Sequence, residues 1–134
     1  MITLDTGDTR LIIETCRRFA LLRNQAAYVL ATALWETART MEPVEEAFFV
    51  KNAETWRKRN LRYYPWHGRG YVQLTWRANY AKAANKLAVP LTQDPTLALL
   101  PEIAAEALIV GCRDGRFTGT TLSDYITLQK STFR

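Results

Sequence analysis

A run of ten uncharged residues, 26–35, constrains the fold of this 134-residue chain more than any other feature. The run reads AAYVLATALW and ends directly before Glu36. Its apolar spacing predicts a helix from about Asn24 to Glu36 or Thr37. Because a helix without charge on any face is typical of a core position, we expect this helix to be buried on most sides.

Apolar spacing and turn residues predict that the rest of the chain is also mostly helical. One helix is expected over residues 9–22, with Ile12, Cys16 and Phe19 on one stripe and Asp8 or Thr9 as the N-cap. Pro43, as a first-turn residue, predicts a short helix over residues 44–49.

The second half of the chain combines helices with a small β element. Residues 62–66 predict a loop, and residues 71–74 a short strand or hairpin. Helices are then expected over 76–87 with Thr75 as the cap, from Pro101 to Gly111 or Gly115, and from near Thr121. The predicted buried stripe of the helix over 76–87 is Ala78, Ala81 and Ala84 or Asn85. The sequence therefore predicts a mainly α (α+β) fold, in one domain over residues 1–134.

Composition excludes several classes of protein. Cys16 and Cys112 fit neither a disulfide framework nor a CxxC metal site, and the single His cannot anchor a typical zinc centre. We therefore expect no metal and no cofactor. No apolar run approaches the roughly 20 residues of a membrane span, and the N-terminus lacks the basic start and apolar stretch of a secretory signal.

The formal charge of +5 is concentrated in one part of the chain. Residues 51–86 contain nine basic residues and one acidic residue, Glu54, for a net charge of +8, while the remaining residues sum to −3. Such a segment indicates either an anionic partner or a solvated face. Nucleic acid and an anionic cell-wall polymer are both compatible with it.

Four glutamates are candidates for acid–base chemistry. Glu36, at the end of a predicted core helix, is either solvated or partly desolvated, and desolvation would favour the protonated form that a general acid needs. Glu42, Glu45 and Glu46 lie around Pro43. Glycoside hydrolysis requires two carboxyl groups in different environments, one protonated and one ionised. A glutamate of this group either faces Glu36 across a cleft or is simply solvated.

Residues 63–80 contain the densest set of hydrogen-bonding and aromatic side chains. Gly68 and Gly70 permit close backbone approach or a positive φ, but no phosphate-loop pattern follows them. The neutral polar side chains suit sugar hydroxyls or a positioned water, whereas the aromatic rings either stack on sugars or fill a small core. The polar residues are Gln73, Thr75 and Asn79, and the aromatic residues are Tyr64, Trp66, Tyr71 and Trp76.

The sequence HGRGYVQLTWRANY at residues 67–80 resembles the signature of glycoside hydrolase family 19. In that signature, an aromatic residue or His precedes G-R-G-[AP]-x-Q-[IL]-[ST], then an aromatic residue and, two residues later, N-Y. Glu36 and Thr37 resemble the catalytic Glu-Thr of the family. Asp114–Gly119 and Leu122–Tyr125 resemble the C-terminal part of its small phage endolysin and prophage branch.

The resemblance implies a lysozyme-like helical domain with a small central β-hairpin and a catalytic cleft. It makes Glu36 the general acid, and it places the second carboxylate, the base that acts on water, at Glu46 or Glu45. Glu46 is preferred because the M-x-P-[VI]-x-E pattern ends there. Thr75 matches the residue that helps to hold the attacking water.

The same resemblance assigns supporting roles to other motif residues. Arg69 is expected to brace the loop or a catalytic carboxylate, and His67 to be structural. Substrate contacts are expected from six residues: Gln73, Asn79, Arg69, Tyr64, Trp66 and His67. Tyr71, Arg77 and Ala78 depart from the usual residues, which argues against a plant-type chitin groove. The end at Arg134 is earlier than the family leads us to expect, so we expect a short C-terminus.

The leading hypothesis is a peptidoglycan hydrolase of the muramidase type, an endolysin that cleaves β-1,4 glycan bonds with inversion. A chitinase is the nearest alternative, and an inactive glycan-binding or nucleic-acid-binding module is the third. The basic segment favours anionic peptidoglycan over nearly neutral chitin. We expect a monomer that binds no nucleic acid, does not insert into membranes and remains in the cytoplasm until it is released to the cell wall.

Overall fold

The computed structural model describes residues 3–114 and confirms a mainly helical fold with a small antiparallel sheet. Within that range, five α-helices alternate with two short strands and one 3-10 helix, Pro95–Leu99. The helices are α1 (Thr9–Arg18), α2 (Arg23–Glu36), α3 (Ala53–Asn60), α4 (Arg77–Leu87) and α5 (Pro101–Asp114). The strands are β1 (Val44–Glu45) and β2 (Arg69–Gly70). The helix predicted from Thr121 and the family likeness beyond Asp114 lie outside the described residues.

The main core forms where α1, α2 and α5 meet. Leu108 and Ile109 of α5 are fully buried against Ile12 of α1 and Val29 of α2. Burial of such side chains contributes about 1.5–3 kcal/mol each, so this cluster fixes the three helices relative to one another. Tyr71, which follows β2, belongs to the same cluster and ties the sheet to the helical core.

A second core cluster contains side chains of the motif segment. Leu74 and Tyr80 pack with Ala83 of α4 and with Ala98 of the 3-10 helix. Tyr80 is fully buried. The residues that precede α4 are therefore held between two packed clusters.

The helix α2 has the predicted bounds but not the predicted burial. Only Val29 and Ala33 of this helix are buried, and the Trp35 side chain is 78% exposed. The expectation of burial on most sides was wrong because α2 packs on one side only, against α1 and α5. The absence of charge from residues 26–35 therefore leaves an apolar, partly exposed face.

Details of α1 and α4 also differ from prediction. The helix α1 ends at Arg18 rather than near residue 22. The buried face of α4 is formed by Tyr80 and Ala83, whereas Ala78 and Ala81 are exposed. The N-cap position of α4 is Trp76 rather than Thr75, and it has no side-chain cap hydrogen bond. Of the two predicted ends of α5, Gly111 is wrong, because this buried glycine lies inside the helix, whereas the described end at Asp114 agrees with Gly115.

The β element corrects two predictions. Residues 44–49 do not form a helix, because Val44 pairs with Gly70 and Glu45 with Arg69 in an antiparallel sheet. A turn follows, in which Ala47 has a positive φ of 62°. Of the short strand or hairpin predicted at 71–74, the strand is wrong: these residues form a turn that an isolated antiparallel bridge between Arg69 and Leu74 closes, as in a hairpin.

The helix α3 was not predicted from the sequence. Its charges suit a helix, because Glu54 lies in the first turn and Arg57, Lys58 and Arg59 lie in the last turn, which complements the helix dipole. Only Arg57 of this helix is buried, so the apolar periodicity that marks a helix is missing.

Three further properties hold for residues 3–114. None of the helices in this range is both long and apolar enough to cross a membrane. No group of three or more His, Cys, Asp and Glu side chains there could hold a metal ion. Cys16 and Cys112 are both free, and burial raises the pKa of the Cys16 thiol to about 11 and that of Cys112 to about 12.

Candidate functional site

The two-stranded sheet brings the acidic pair Glu45 and Glu46 beside the motif segment. The Glu46 N–H donates to the Gly68 carbonyl over 2.8 Å, which extends the pairing of β1 with β2. Both motif glycines are required here. A Cβ at Gly68 would lie 2.4 Å from Gln73 Oε1, and Gly70 has a φ of +109°.

The Glu46 carboxylate is held by two neutral donors. The Tyr63 hydroxyl donates to Oε2 over 2.6 Å, and the Gly68 N–H donates to Oε1 over 2.8 Å. The hydrogen bond to the carboxylate raises the pKa of Tyr63 to about 12, so the phenol stays protonated and remains a donor. Among residues 3–114, no cation pairs with the half-buried Glu46 carboxylate, which the two neutral donors orient.

The neighbouring Glu45 carboxylate instead contacts one histidine and two arginines. Its Oε2 lies 2.8 Å from His67 Nε2 and 3.4 Å from Arg69 Nε. Its Oε1 lies 3.5 Å from Arg57 Nη2. Both arginines are only 4% exposed, so Glu45 balances their buried charge.

Arg57 connects its own helix, α3, to the acidic pair Glu45 and Glu46. Its Nε donates to the Glu46 carbonyl over 2.7 Å, and its Nη1 donates to Glu54 Oε2 over 3.2 Å. Glu54 also accepts a hydrogen bond from the Tyr64 hydroxyl, which lowers the pKa of that carboxyl group. The buried Arg57 side chain therefore anchors the turn after β1, because it binds a backbone carbonyl of that turn and a carboxylate of α3.

The basic motif residues His67 and Arg69 are buried braces of the loop. The fully buried His67 ring stacks against Tyr64, with centroids 5.7 Å apart. Burial lowers the pKa of His67, although the hydrogen bond to Glu45 acts in the opposite direction. Arg69 Nη1 donates to the Pro65 carbonyl over 2.9 Å and to the Tyr80 hydroxyl over 3.0 Å. Arg69 thus contacts both the loop and a carboxylate.

The neutral polar side chains of the motif donate hydrogen bonds to backbone carbonyl groups. Gln73 Nε2 donates to the Val44 carbonyl over 2.8 Å, and Thr75 Oγ1 donates to the Gln73 carbonyl over 2.8 Å. Asn79 Nδ2 donates to the Thr75 carbonyl over 2.9 Å. Beyond these bonds, the side-chain oxygens can still accept, and the second N–H of Asn79 Nδ2 can still donate.

The aromatic motif residues divide between core and surface. Tyr71 is 1% exposed and donates its hydroxyl to Asp8 over 2.8 Å, so it is a core residue. Trp66 is half-buried and packs on Tyr80 with centroids 5.4 Å apart. The Trp76 side chain remains 46% exposed, which makes it the most accessible aromatic residue of the motif.

Glu36, the candidate acid, lies exposed at the C-terminus of α2. The residue after it, Thr37, is buried, donates its hydroxyl to the Ala33 carbonyl over 2.7 Å and accepts from the Met41 N–H over 2.9 Å. Thr37 therefore fixes the path of the chain from Glu36 toward β1. The exposure of Glu36 fits the solvated alternative for this carboxylate rather than the desolvated one.

Two residues of the site, Arg57 and Tyr63, were not identified from the sequence. Arg57 was counted only as part of the basic segment, and no local signal distinguishes it from its exposed neighbours Lys58 and Arg59. Tyr63 lies next to Tyr64 in an aromatic run, where either hydroxyl could have met a carboxylate. The structure pairs Tyr63 with Glu46 and Tyr64 with Glu54.

No protein-family model matches this chain, and no curated protein shows significant similarity to it.

Proposed function

We propose that this protein is an inverting glycoside hydrolase that cleaves β-1,4 bonds of bacterial peptidoglycan, as a muramidase-type endolysin does. Glu36 is the general acid and Glu46 the general base. As the water oxygen forms its bond to the anomeric carbon, Glu46 takes a proton from the water. Glu36 gives its proton to the leaving glycosidic oxygen as the bond between sugars breaks.

The observation that carries the proposal is the environment of Glu46. Its carboxylate is oriented by the Tyr63 hydroxyl and the Gly68 N–H, both of them neutral donors. Each carboxylate oxygen has two lone-pair sites, so Glu46 retains capacity to accept a proton from water. Glu45 is less suited to be the base, because ion pairs with Arg57 and Arg69 oppose the loss of its negative charge.

The exposure of Glu36 is compatible with its role as the acid in the bound complex. A glycan chain that lies across the end of α2 would exclude water from the carboxyl group and so favour its protonated form. The side chain of Trp35, 78% exposed, offers an apolar surface next to it. The proposal includes a lysozyme-like cleft with Glu36 on one wall and the two-stranded sheet on the other.

The distribution of charge favours peptidoglycan over chitin. Lys58 and Arg59 of α3 and Arg62 after it are exposed, and they lie close in sequence to the turn that Arg57 anchors. An exposed basic surface attracts an anionic polymer and raises its local concentration. Chitin carries nearly no charge, so this surface does not attract it. A chitinase is the second candidate because chitin has the same β-1,4 linkage.

The first test is the pair of variants Glu36→Gln and Glu42→Gln. Loss of a general acid typically costs about 10²–10⁴-fold in rate, so Glu36→Gln should reduce release of soluble glycan from purified peptidoglycan by at least 100-fold. Glu42 is also exposed and lies six positions later, so Glu42→Gln is the matched control and should retain wild-type activity.

Circular dichroism should show both variants folded. Full activity in Glu36→Gln would exclude Glu36 as the acid, and an equal loss in both variants would assign the effect to surface charge.

A further inference from the structure

Trp76 adopts a backbone conformation that a bulky residue rarely occupies. Its φ is +76° and its ψ is 139°, at the N-cap position of α4. Positive φ is uncommon for residues other than glycine, and bulky side chains are strained there. A glycine would meet these angles without strain, so the tryptophan side chain is not what the local backbone favours.

Hydrogen bonds on both sides hold Trp76 in this conformation. Its N–H donates to the Trp66 carbonyl over 2.8 Å. Its carbonyl accepts from the N–H groups of Asn79, over 3.0 Å, and Tyr80, over 3.1 Å. Because the backbone is held on both sides, the direction of the Cα–Cβ bond of Trp76 is fixed.

The indole is supported by neighbours and yet remains accessible. The Tyr63 ring lies against it with centroids 4.8 Å apart at 44°, and the Arg62 guanidinium carbon lies 5.6 Å from the ring centroid. Despite these contacts, 46% of the Trp76 surface is exposed. A rigid aromatic surface that stays open to solvent in this way is typical of a ligand contact.

Tyr63 connects Trp76 to the proposed base, Glu46. Tyr63 packs on Trp76 through its ring and donates its hydroxyl to Glu46 Oε2 over 2.6 Å. The exposed indole is therefore separated from the Glu46 carboxylate by a single aromatic ring. A sugar that contacts the indole would therefore lie across the Tyr63 ring from this carboxylate.

We propose that Trp76 is the stacking platform of a sugar-binding subsite next to Glu46, built on Tyr63 and flanked by Arg62. This inference rests on the proposed function and adds a substrate-binding residue to it. The apolar face of an N-acetylated pyranose packs on the indole. The guanidinium of Arg62 lies over the same ring system, 5.6 Å from the ring centroid, and it meets the carboxylate of the lactyl or peptide substituent of peptidoglycan.

The test measures binding to a peptidoglycan tetrasaccharide, with alternating N-acetylglucosamine and N-acetylmuramic acid, by isothermal titration calorimetry. The parent protein carries Glu36→Gln so that the glycan is not hydrolysed. Trp76→Gly, which removes the ring and suits the positive φ, should weaken binding at least tenfold. Trp76→Phe, which keeps an aromatic face, should remain within about threefold of the parent.

Ala88→Gly is the matched control for the backbone. Ala88 has a positive φ of 55° at the other end of α4, so a glycine there relieves the same kind of strain without removing a ring. Its affinity for the tetrasaccharide should equal that of the parent. A tenfold loss in Ala88→Gly as well would assign the effect to α4 and overturn the platform.

The other outcomes separate this inference from the proposed function. If the parent binds the tetrasaccharide and Trp76→Gly binds it equally well, the platform is excluded while the hydrolase proposal stands. If the parent does not bind the tetrasaccharide, and the protein with Glu36 intact does not cleave peptidoglycan, both proposals fail.

Discussion

Glu45 and Glu46 are adjacent, but their side chains have different partners. We therefore expect substitutions of Glu45 to change mainly stability and substitutions of Glu46 to change mainly activity. Glu46→Gln should reduce peptidoglycan cleavage by about 100-fold or more, because an amide cannot accept the proton from water. Glu45→Gln should instead lower the free energy of unfolding by about 2 kcal/mol, because it removes the carboxylate that pairs with the buried guanidinium groups of Arg57 and Arg69. Urea unfolding and cleavage assays on both variants measure the two effects.

The assignment of the base would be reversed by the opposite pattern. If Glu45→Gln remained as stable as wild type but lost activity, and Glu46→Gln remained active, Glu45 would be the base. Each variant therefore serves as the control for the other, since both remove one negative charge at neighbouring positions.

His67 makes stability depend on pH in a definite direction. Burial lowers the pKa of His67 in the folded protein, while an unfolded histidine titrates near 6.5. As the pH falls below about 6.5, the unfolded chain takes up a proton that the folded protein resists. The free energy of unfolding should therefore fall by up to about 1.4 kcal/mol per pH unit, and the loss should end below the folded-state pKa.

Urea unfolding of wild type and His67→Gln at pH 7.5 and pH 5.5 measures this effect. The chain has one histidine, so the variant removes the only side chain that ordinarily titrates in this window. The facing groups Glu45, Arg57 and Arg69 remain in the variant. The loss of stability between the two pH values should be smaller in His67→Gln, and an equal loss would show that His67 is not its source.

At the residue scale, the sequence motifs single out Glu46, His67 and Arg69 as candidate site residues but do not identify their contacts. Arg57 was not identified as a site residue from the sequence. It comes from a basic run whose other members are exposed, and it is buried only because α3 places it against the turn after β1. That placement depends on tertiary packing, which local sequence does not encode.

At the element scale, the buried face of α3 is a single arginine, so the stability of this helix depends on Arg57. Arg57→Lys keeps the charge but replaces a fork of donors to Glu46, Glu54 and Glu45 by one ammonium group. We expect the free energy of unfolding to fall by about 2 kcal/mol.

Lys58→Ala is the control for this prediction, because Lys58 is the next residue of the same helix and is exposed. Its effect on chemical denaturation should lie within about 0.5 kcal/mol of zero. Equal stability of Arg57→Lys and wild type would remove Arg57 from its anchoring role.

Helices and strands of this chain differ in how far they follow from local sequence. The bounds of α2 were predicted nearly to the residue, because apolar spacing is a local property. The strands β1 and β2 have two residues each, and their pairing joins Val44 to Gly70 across 26 positions. No periodicity exists over two residues, so this pairing could not be predicted from a local pattern.

At the scale of the whole molecule, the basic segment divides into two groups with different roles. Arg57 and Arg69 are buried and balance Glu45, so their charge is not available to a partner. The other basic residues of the segment are exposed: Lys51, Lys58, Arg59, Arg62, Arg77, Lys82 and Lys86. Sequence alone predicted the amount of charge but not this division, because burial of an arginine depends on the carboxylate that meets it.

The central claim is hydrolysis of a β-1,4 glycan bond, and its most direct test is mass spectrometry of the products from purified peptidoglycan. We expect muropeptides that end in reducing N-acetylmuramic acid, and we expect them to be absent after incubation with Glu36→Gln. Proton nuclear magnetic resonance should show the α-anomer first, as inversion of a β bond requires. New N-terminal amines without new reducing ends would contradict the claim and show that the protein cleaves amide bonds instead.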